Sequence, residues 1–256
     1  MDLPILSASP FLAHIDEGRK QLVREHLNAV AQLARSNAAT IGAGVAGNAI
    51  GLVHDLGKYS AEFQRYLRQL EPRQDTEGAI LKRGSVDHST AGAQLIWERL
   101  KSKGPRESIV GEILALCVAS HHSGLVDCVS PDGRPNLANR LDKDRRQTHF
   151  EEAWSNADVS VRQECERLLQ DPEVVVGIST IIGNICKRDC SEDLQRFKIG
   201  MLTRHLFSCL IDADRTDTSD WTNPVAATFR QSGDTRRGSR WRHCWIGIWS
   251  DLWVRR

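Results

Sequence analysis

Several features that would assign the chain to a common class of protein are missing from its sequence. The opening segment, MDLPILSASPFLAHIDEG, lacks the basic start and the long apolar run of a secretory signal peptide. No stretch approaches the roughly 18 uninterrupted apolar residues that a membrane-spanning helix needs. We therefore expect a cytoplasmic protein that has no membrane partner.

Paired cysteines are missing as well. The chain has seven cysteines, an odd number, and no two of them form a Cys-x-x-Cys pair. Cys186 and Cys190 stand four residues apart, but no second pair is present to complete a zinc site. We expect the cysteines to be reduced thiols that mostly fill the core.

A phosphate-binding loop is also excluded. Its motif ends in Gly-Lys followed by Ser or Thr, with four residues between its two glycines. Gly57-Lys58 is the only Gly-Lys pair of the chain, five residues separate Gly51 from Gly57, and Tyr59 stands where the hydroxyl residue is required. The sequence therefore contains no nucleotide-triphosphate motor site of this kind.

The charge of the chain is nearly balanced but unevenly distributed. The formal net charge is +1 over 256 residues, although residues 230–256 alone carry +5 and leave −4 on residues 1–229. A nucleic-acid substrate would need a local basic groove, because the chain as a whole would not attract it. We predict a domain at residues 1–229 and an Arg- and Trp-rich tail at residues 230–256.

The tail contains four tryptophans that recur every four residues, at Trp241, Trp245, Trp249 and Trp253. On a helix they would share one stripe. Such a stripe, with the neighbouring arginines, suits the binding of single-stranded nucleic acid, an interface with a partner, or packing against the domain. The sequence leaves these alternatives open, so the role of the tail is uncertain.

Segments with an apolar period of about 3.6 residues dominate the chain, whereas strand-like alternation is scarce. The pattern predicts an all-α fold. The predicted helices cover approximately residues 16–35, 46–70, 87–100, 107–121, 150–169, 174–186 and 192–213. Gly57 could interrupt the second of these helices.

The placement of the histidines is the strongest functional signal. Five of the nine lie on the apolar faces of four predicted helices, at His26, His54, His88, His121 and His122. Any one of them could be an ordinary core histidine with one hydrogen-bond partner. Burying five imidazoles, however, costs a few kcal/mol each unless every one finds partners. A shared metal would satisfy them together, so the pattern predicts a metal site.

Asp55 follows His54 directly, and this pair extends the prediction. On a helix the two side chains would lie about 100° apart, so they could flank two targets. A carboxylate so placed can bridge two metal ions roughly 3.5–4 Å apart, as two-metal phosphoryl hydrolases require. His121 and His122 are also adjacent, and the end of a helix would allow both side chains to converge on one site.

In this order, the residues resemble those of the HD phosphohydrolase superfamily. A narrower resemblance, to the HD nuclease domain of the type I CRISPR helicase–nuclease, rests on VHDLGKYSAEFQRYL, DHSTAG, ASHHSGL and LFSCLIDADRTDT. The dipeptide His-Asp is weak by itself, whereas HDLGK followed by EFQRYL is much more specific. The resemblance covers the chain from about Arg24 to Trp221.

The resemblance implies an HD-domain helical bundle built around two sets of metal ligands. The first set is His26, His54, Asp55 and Asp214. The second set is Asp55, His88, His121 and His122. Asp55 and Lys58 would be catalytic, with Lys58 beside the scissile phosphate. The cofactors would be two divalent transition metal ions, drawn from Mn, Fe, Ni, Co and Zn.

One ligand is ambiguous from periodicity alone. Asp212 and Asp214 fall on opposite flanks of the apolar face of the last predicted helix, so the pattern does not choose between them. The family pattern places the ligand in the Ala-Asp pair, which favours Asp214.

The implied activity is metal-dependent endo- or exonucleolytic hydrolysis of single-stranded DNA in type I CRISPR interference, an antiviral defence. Its partners would be a CRISPR RNA-guided surveillance complex and a helicase. Family members usually continue into a long helicase, whereas this chain ends at Arg256, so we expect a separate helicase subunit or a missing helicase domain. The alternatives are an HD phosphohydrolase that acts on nucleotides and an inactive HD module that binds DNA or a partner.

Overall fold

A computed structural model describes residues 10–69, 86–186 and 191–231 of the chain. A two-stranded hairpin, β1 (Leu12–Asp16) and β2 (Arg19–Leu22), precedes a series of helices. The helices are α1 (Val23–Ala39), α2 (Gly44–Val53), α3 (Ala61–Gln69), α4 (Thr90–Leu100), α5 (Pro105–Ser120), α6 (Asn136–Leu141), α7 (Arg145–Thr148), α8 (Phe150–Asn156), α9 (Val159–Gln170), α10 (Pro172–Ile185), α11 (Glu192–Thr222) and α12 (Pro224–Gln231). The predicted helical fold is confirmed, with the hairpin as its exception. None of the described helices has the length and the apolar composition needed to cross a bilayer.

The chain divides into two compact units, Met1–Arg215 and Thr216–Arg256. The first contains the hairpin, α1 to α10 and most of α11, and the second contains the end of α11 and α12. The domain boundary predicted at residue 229 stays a prediction. Residues 232–256 of the predicted tail lie outside the described part of the chain.

The hairpin corrects the start of the first predicted helix. That helix was expected from Asp16, but α1 begins at Val23. Asp16 pairs with Arg19 across a two-residue turn in which Glu17 and Gly18 have φ values of 48° and 79°. Positive φ at both turn residues suits the twist of paired strands. An ion pair of 2.7 Å between Arg19 Nη2 and Asp16 Oδ2 closes the turn.

Helix α2 lies at the centre of the first unit. It contacts α1, α4, α5, α9 and α10, and every residue from Ala49 to Val53 is buried. A helix without a solvent-facing side is expected to be apolar all round, as α2 is. The core around it extends from the hairpin to α11 and includes the free thiols of Cys117, Cys165 and Cys209. The prediction of core thiols is confirmed for these three.

The second predicted helix is interrupted at His54 and Asp55. Helix α2 ends at Val53, a single 3-10 turn covers Leu56–Tyr59, and α3 begins at Ala61. His54 and Asp55 therefore lie in the break between these elements, rather than about 100° apart on one helix as expected. The break is tightened by the Lys58 amide, which donates to the Asp55 carbonyl over 2.9 Å. The helix predicted at residues 150–169 is similarly divided, into α8 and α9.

Helix α4 approaches α2 through Gly92, where the two backbones nearly touch. A Cβ atom added at Gly92 would lie 1.9 Å from the carbonyl oxygen of Val53, a backbone atom that cannot move aside. This contact holds the start of α4 against the end of α2. The close approach fixes the distance between the residues that flank these two helix ends.

We expect Gly92→Ala to lower the free energy of unfolding by about 3 kcal/mol or more, because the added methyl group must separate α2 from α4. Gly200→Ala is the matched control, since Gly200 lies within α11 with nothing within 4 Å of an added Cβ. That control should raise the free energy of unfolding by about 0.5–1 kcal/mol through helix propensity. Urea unfolding of the two variants measures both changes, and equal effects would contradict the close-contact interpretation.

Candidate metal centre

Most of the seven predicted metal ligands lie just beyond the ends of helices, and two lie within a helix. His26 is in α1 and Asp214 is in α11. The others follow or precede a helix: His54 and Asp55 follow α2, His88 precedes α4, and His121 and His122 follow α5. The end of a helix lets neighbouring residues turn toward one point, as was predicted for the paired histidines after α5.

One oxygen of the Asp55 carboxylate faces a first group of side chains. Asp55 Oδ2 lies 3.3 Å from His26 Nε2 and 3.2 Å from His54 Nε2. Asp214 Oδ1 completes the group, 3.4 Å from the same nitrogen of His26 and 3.6 Å from that of His54. Four ligand atoms, one from each residue, all lie within 4.8 Å of one another.

The other oxygen of Asp55 faces a second group. Asp55 Oδ1 lies 3.1 Å from His121 Nε2 and 3.6 Å from the Nε2 atoms of His88 and His122. The Nε2 atoms of His88 and His122 are themselves 2.5 Å apart. The four residues again offer four ligand atoms within 4.8 Å of one another. Both groups could hold a metal ion, and Asp55 belongs to both.

Backbone carbonyls fix the orientation of three of these imidazoles. Nδ1 of His54 lies 2.7 Å from the carbonyl oxygen three residues earlier, and Nδ1 of His121 lies 2.8 Å from the corresponding oxygen. Nδ1 of His88 lies 2.8 Å from the carbonyl oxygen two residues earlier. Each Nδ1 therefore carries a hydrogen and donates it, so Nε2 is the nitrogen that faces Asp55. Fixing the tautomer through the outer nitrogen is how proteins prepare histidine for a metal.

Two of these carbonyls belong to the last turns of α2 and α5. The last four carbonyls of a helix have no partner within it. His54 and His121 are the residues that directly follow these helices, and each ring donates to one of these terminal carbonyls, that of Gly51 for His54 and that of Val118 for His121. On its inner side, the buried Nε2 of His54 has no hydrogen-bond partner of adequate geometry among the described residues. A metal ion would give this nitrogen the partner that it lacks.

The charges of the centre are set by its burial and its mutual contacts. Burial alone would raise the pKa of Asp55, but the charges of Lys58 and His54 hold it well below its usual range. Burial likewise opposes ionisation of Asp214, but the neighbouring imidazoles of His26 and His54 hold its pKa below its usual range. Although burial lowers the pKa of His54, the two carboxylates raise it to about 10. The first group thus combines two ionised carboxylates with imidazole nitrogens, a set of ligand atoms that could hold a divalent cation.

The second group behaves differently. Burial, together with the charges of His122 and Lys58, lowers the pKa of His88 to about 3 against the attraction of Asp55. Burial is also the main reason why the pKa of His121 is lowered. These imidazoles are therefore neutral at pH 7, which is the state in which imidazole binds a metal.

Lys58 enters the centre from the 3-10 turn. Lys58 is only 4% exposed, and its Nζ lies 2.7 Å from Asp55 Oδ2. The ring of Phe63 lies 5.7 Å from the same amine. The turn is held against the second group by Gly57, whose amide donates to the carbonyl of His88 over 3.0 Å. An added Cβ at Gly57 would lie 2.5 Å from that carbonyl oxygen, so only glycine allows this contact.

The structure separates Asp214 from Asp212. Asp214 Oδ1 lies beside His26 and His54, whereas the Asp212 carboxylate accepts a hydrogen bond of 3.2 Å from the side-chain amide of Asn37. These contacts therefore favour Asp214, the residue that the family pattern implies, over Asp212.

Sequence reasoning missed His14. This residue showed no partner pattern in the sequence, yet its ring lies 4.9 Å from that of His26, edge to face. Burial, with the charges of Lys58 and His26, lowers its pKa to about 2. The missing signal was the hairpin, because β1 is the element that brings His14 to the centre. His205, which was expected to pack, lies on α11 beside Cys209, and His243 lies outside the described residues.

The centre opens to solvent on one side. The side chain of His122 is 46% exposed, those of Asp214 and His88 are 18% and 12% exposed, and those of the other four ligand candidates are 0–1% exposed. Among the described ligand candidates, His122 is therefore the one that a phosphate group could reach most easily.

A helical bundle that places a His-Asp pair between two groups of histidine and aspartate ligand atoms is an HD domain. In a comparison with protein-family models, residues 13–195 match the family described as Cas3, HD domain. The matched segment is well over half of the chain, and the chain belongs to this family. The family predicted from the sequence is therefore confirmed, and membership identifies an HD nuclease domain of CRISPR defence. No curated protein matches the chain.

We expect Mn²⁺ or Ni²⁺ to stabilise the protein, because an ion that binds only the folded chain adds about 2.7 kcal/mol at a hundredfold excess over its Kd. His54→Ala should reduce this gain and lower the metal content, since it removes an Nε2 atom from the first group and leaves the second group intact. The control is His205→Ala, which lies outside both groups. Thermal unfolding with and without a chelator, with metal analysis on the same samples, makes the measurement. Equal metal content in all three proteins would contradict the assignment of the site.

Proposed function

We propose that the chain is a nuclease that hydrolyses phosphodiester bonds of single-stranded DNA in type I CRISPR interference, with two divalent metal ions. The observation that carries the proposal is the division of one carboxylate, because Asp55 turns Oδ2 toward the first group and Oδ1 toward the second. A carboxylate shared by two ions is the arrangement that two-metal phosphoryl hydrolases use. Family membership supports the CRISPR context.

The residues fit two ions in number and in chemistry. One ion would be held by His26, His54, Asp55 and Asp214. The other would be held by Asp55, His88, His121 and His122. Mixed imidazole and carboxylate ligands suit Mn, Fe, Ni, Co and Zn, and availability decides among these metals. The fixed orientations of the rings, with each Nε2 turned toward the shared Asp55, favour ligation over simple core packing.

Bound ions would activate a water molecule near neutral pH and neutralise charge on the scissile phosphate. The chain's own residues prepare the place where this happens. Asp55 is buried, ionised and held between both groups, so it needs no rearrangement during the reaction. Lys58 keeps an ammonium group beside Asp55, where it can stabilise the negative charge that grows on a phosphate. No serine or cysteine nucleophile is required.

The substrate and partners follow from access and charge. Because His122 is 46% exposed while four of the other ligand candidates are buried, a phosphate would meet the centre beside His122, and a flexible single strand can present a phosphate there more easily than a duplex. The net charge of +1 gives the chain little long-range attraction for DNA. A helicase that unwinds and feeds the strand, recruited by an RNA-guided surveillance complex, would supply what the charge does not.

The central test uses the whole chain with circular single-stranded DNA and Mn²⁺. The wild type should degrade the circle, and Asp55→Ala should not, because the substitution removes a ligand atom from both groups at once. Metal content is measured on the same samples, and Asp212→Ala is the control, since its carboxylate contacts Asn37 outside both groups. A linear strand of the same sequence is tested in parallel, because an exonuclease cannot attack a circle. Intact DNA of both forms with bound metal would refute the DNA substrate and turn attention to nucleotides. An intact circle without bound metal would favour an inactive module.

Lys58→Met should lower kcat by roughly 10²–10³, the loss typical of removing one charge-stabilising donor. Bound metal should remain, because Lys58 contributes no ligand atom to either group. Lys101→Met, at an exposed position, should leave kcat unchanged. Steady-state kinetics of DNA cleavage compares the three proteins, and loss of metal from Lys58→Met would contradict a role confined to the substrate.

A further inference from the structure

The turn that carries Lys58 is fastened by the side chain of a buried glutamine. Gln64 lies on α3, is 4% exposed, and makes three hydrogen bonds through its amide. Its Nε2 donates to the carbonyl oxygens of Lys58, over 2.8 Å, and of Leu12, over 2.9 Å. Its Oε1 accepts from the Leu12 amide over 3.0 Å. One side chain thus joins the lysine turn to strand β1.

The geometry uses the whole amide. A primary amide has two N–H donors and one carbonyl acceptor, and here both donors and the acceptor have partners on the backbone. Gln64 is itself held in place, because its backbone amide donates to the backbone carbonyl of Ser60 over 3.1 Å. The hydroxyl of Ser60 also accepts from the Phe63 amide, over 3.2 Å. The first turn of α3 and the 3-10 turn are therefore fixed to each other.

The backbone of Lys58 is consequently held on both sides. Its amide donates to the Asp55 carbonyl over 2.9 Å, and its carbonyl accepts from Gln64. A lysine amine sits on a flexible four-carbon stem, so a small rotation of the peptide plane displaces the amine by much more. Holding the backbone is thus a means to hold Nζ at 2.7 Å from Asp55 Oδ2.

We propose that Gln64 is a positioning residue for Lys58, which acts on the reaction only through the placement of the lysine amine. Its hydrogen bonds go to backbone atoms, and it belongs to neither group of candidate ligands. The inference rests on the proposed function, because Lys58 is given its role there. The hairpin contributes to the same positioning, because the side-chain amide of Gln64 also hydrogen-bonds to the backbone of Leu12 in β1.

The test is a double-mutant cycle on the whole chain with saturating Mn²⁺ and single-stranded DNA. Gln64→Met keeps the length of the side chain and should lower kcat about tenfold with little change in KM, because a misplaced group weakens only the transition state. In the Lys58→Met background, the same substitution should change kcat less than twofold, since the lysine through which it acts is gone. Equal factors in both backgrounds would overturn the proposal.

A matched control separates positioning from stability. Gln94 is the comparable buried glutamine, 3% exposed, with three hydrogen bonds. Its amide donates to the carbonyls of Leu141 and Lys143 and accepts from the hydroxyl of Thr148, all far along the chain from Lys58. Gln94→Met should lower Tm about as much as Gln64→Met and keep wild-type kcat. A tenfold loss of kcat in Gln94→Met would show that stability alone explains the effect, and would overturn the proposal.

A crystal structure of Gln64→Met gives an answer that does not depend on activity. Lys58 Nζ should move out of hydrogen-bond distance of Asp55 Oδ2. An unmoved amine would overturn the positioning role even if kcat fell. A wild-type protein that cleaves no DNA would refute the proposed nuclease, whereas this structure would still decide whether Gln64 places the lysine.

Discussion

The ionised carboxylate of Asp55, buried in the middle of a helical core, is the constraint around which the rest of the site is arranged. A charge in such a place is costly unless it is paired and hydrogen-bonded on every side. The surrounding side chains meet that need from two directions, with histidines facing each oxygen and Lys58 beside one of them. The same arrangement that makes the carboxylate tolerable in the core makes it suitable for two cations.

Helix ends solve the problem of bringing these groups together. A helix interior spreads neighbouring side chains around its axis, whereas the residues just beyond the end can fold back toward one point. The ends also supply carbonyl oxygens that have no partner in the helix. The rings of His54 and His121 donate to such terminal carbonyls, so the end of each helix fixes the orientation of one imidazole. Close packing at Gly92 then fixes the distance between two of the ends.

Sequence reasoning identified which residues belong together more accurately than where they stand. The family and the helical fold followed from HDLGK, from the paired histidines and from their apolar neighbours, and both are confirmed. Periodicity placed His54 and Asp55 inside a helix, because apolar residues on both sides of the break keep the helical spacing. Strand β1 is short, and its sequence LAHID alternates too little between polar and apolar residues to predict a strand. The sequence therefore did not reveal that His14 reaches the centre. Asp214 needed three-dimensional contacts, since two aspartates flank the same face.

The place of Asp214 in the chain bears on how such domains are cut out of longer sequences. The family match ends at residue 195, whereas the fourth member of the first group lies on α11 beyond that point. A fragment cut at the edge of the match would keep every histidine of both groups and the complete second group, while the first would fall from four residues to three. Domain dissection guided by sequence similarity alone would therefore yield a protein with one whole site and one damaged site, and its inactivity would say nothing about the parent chain.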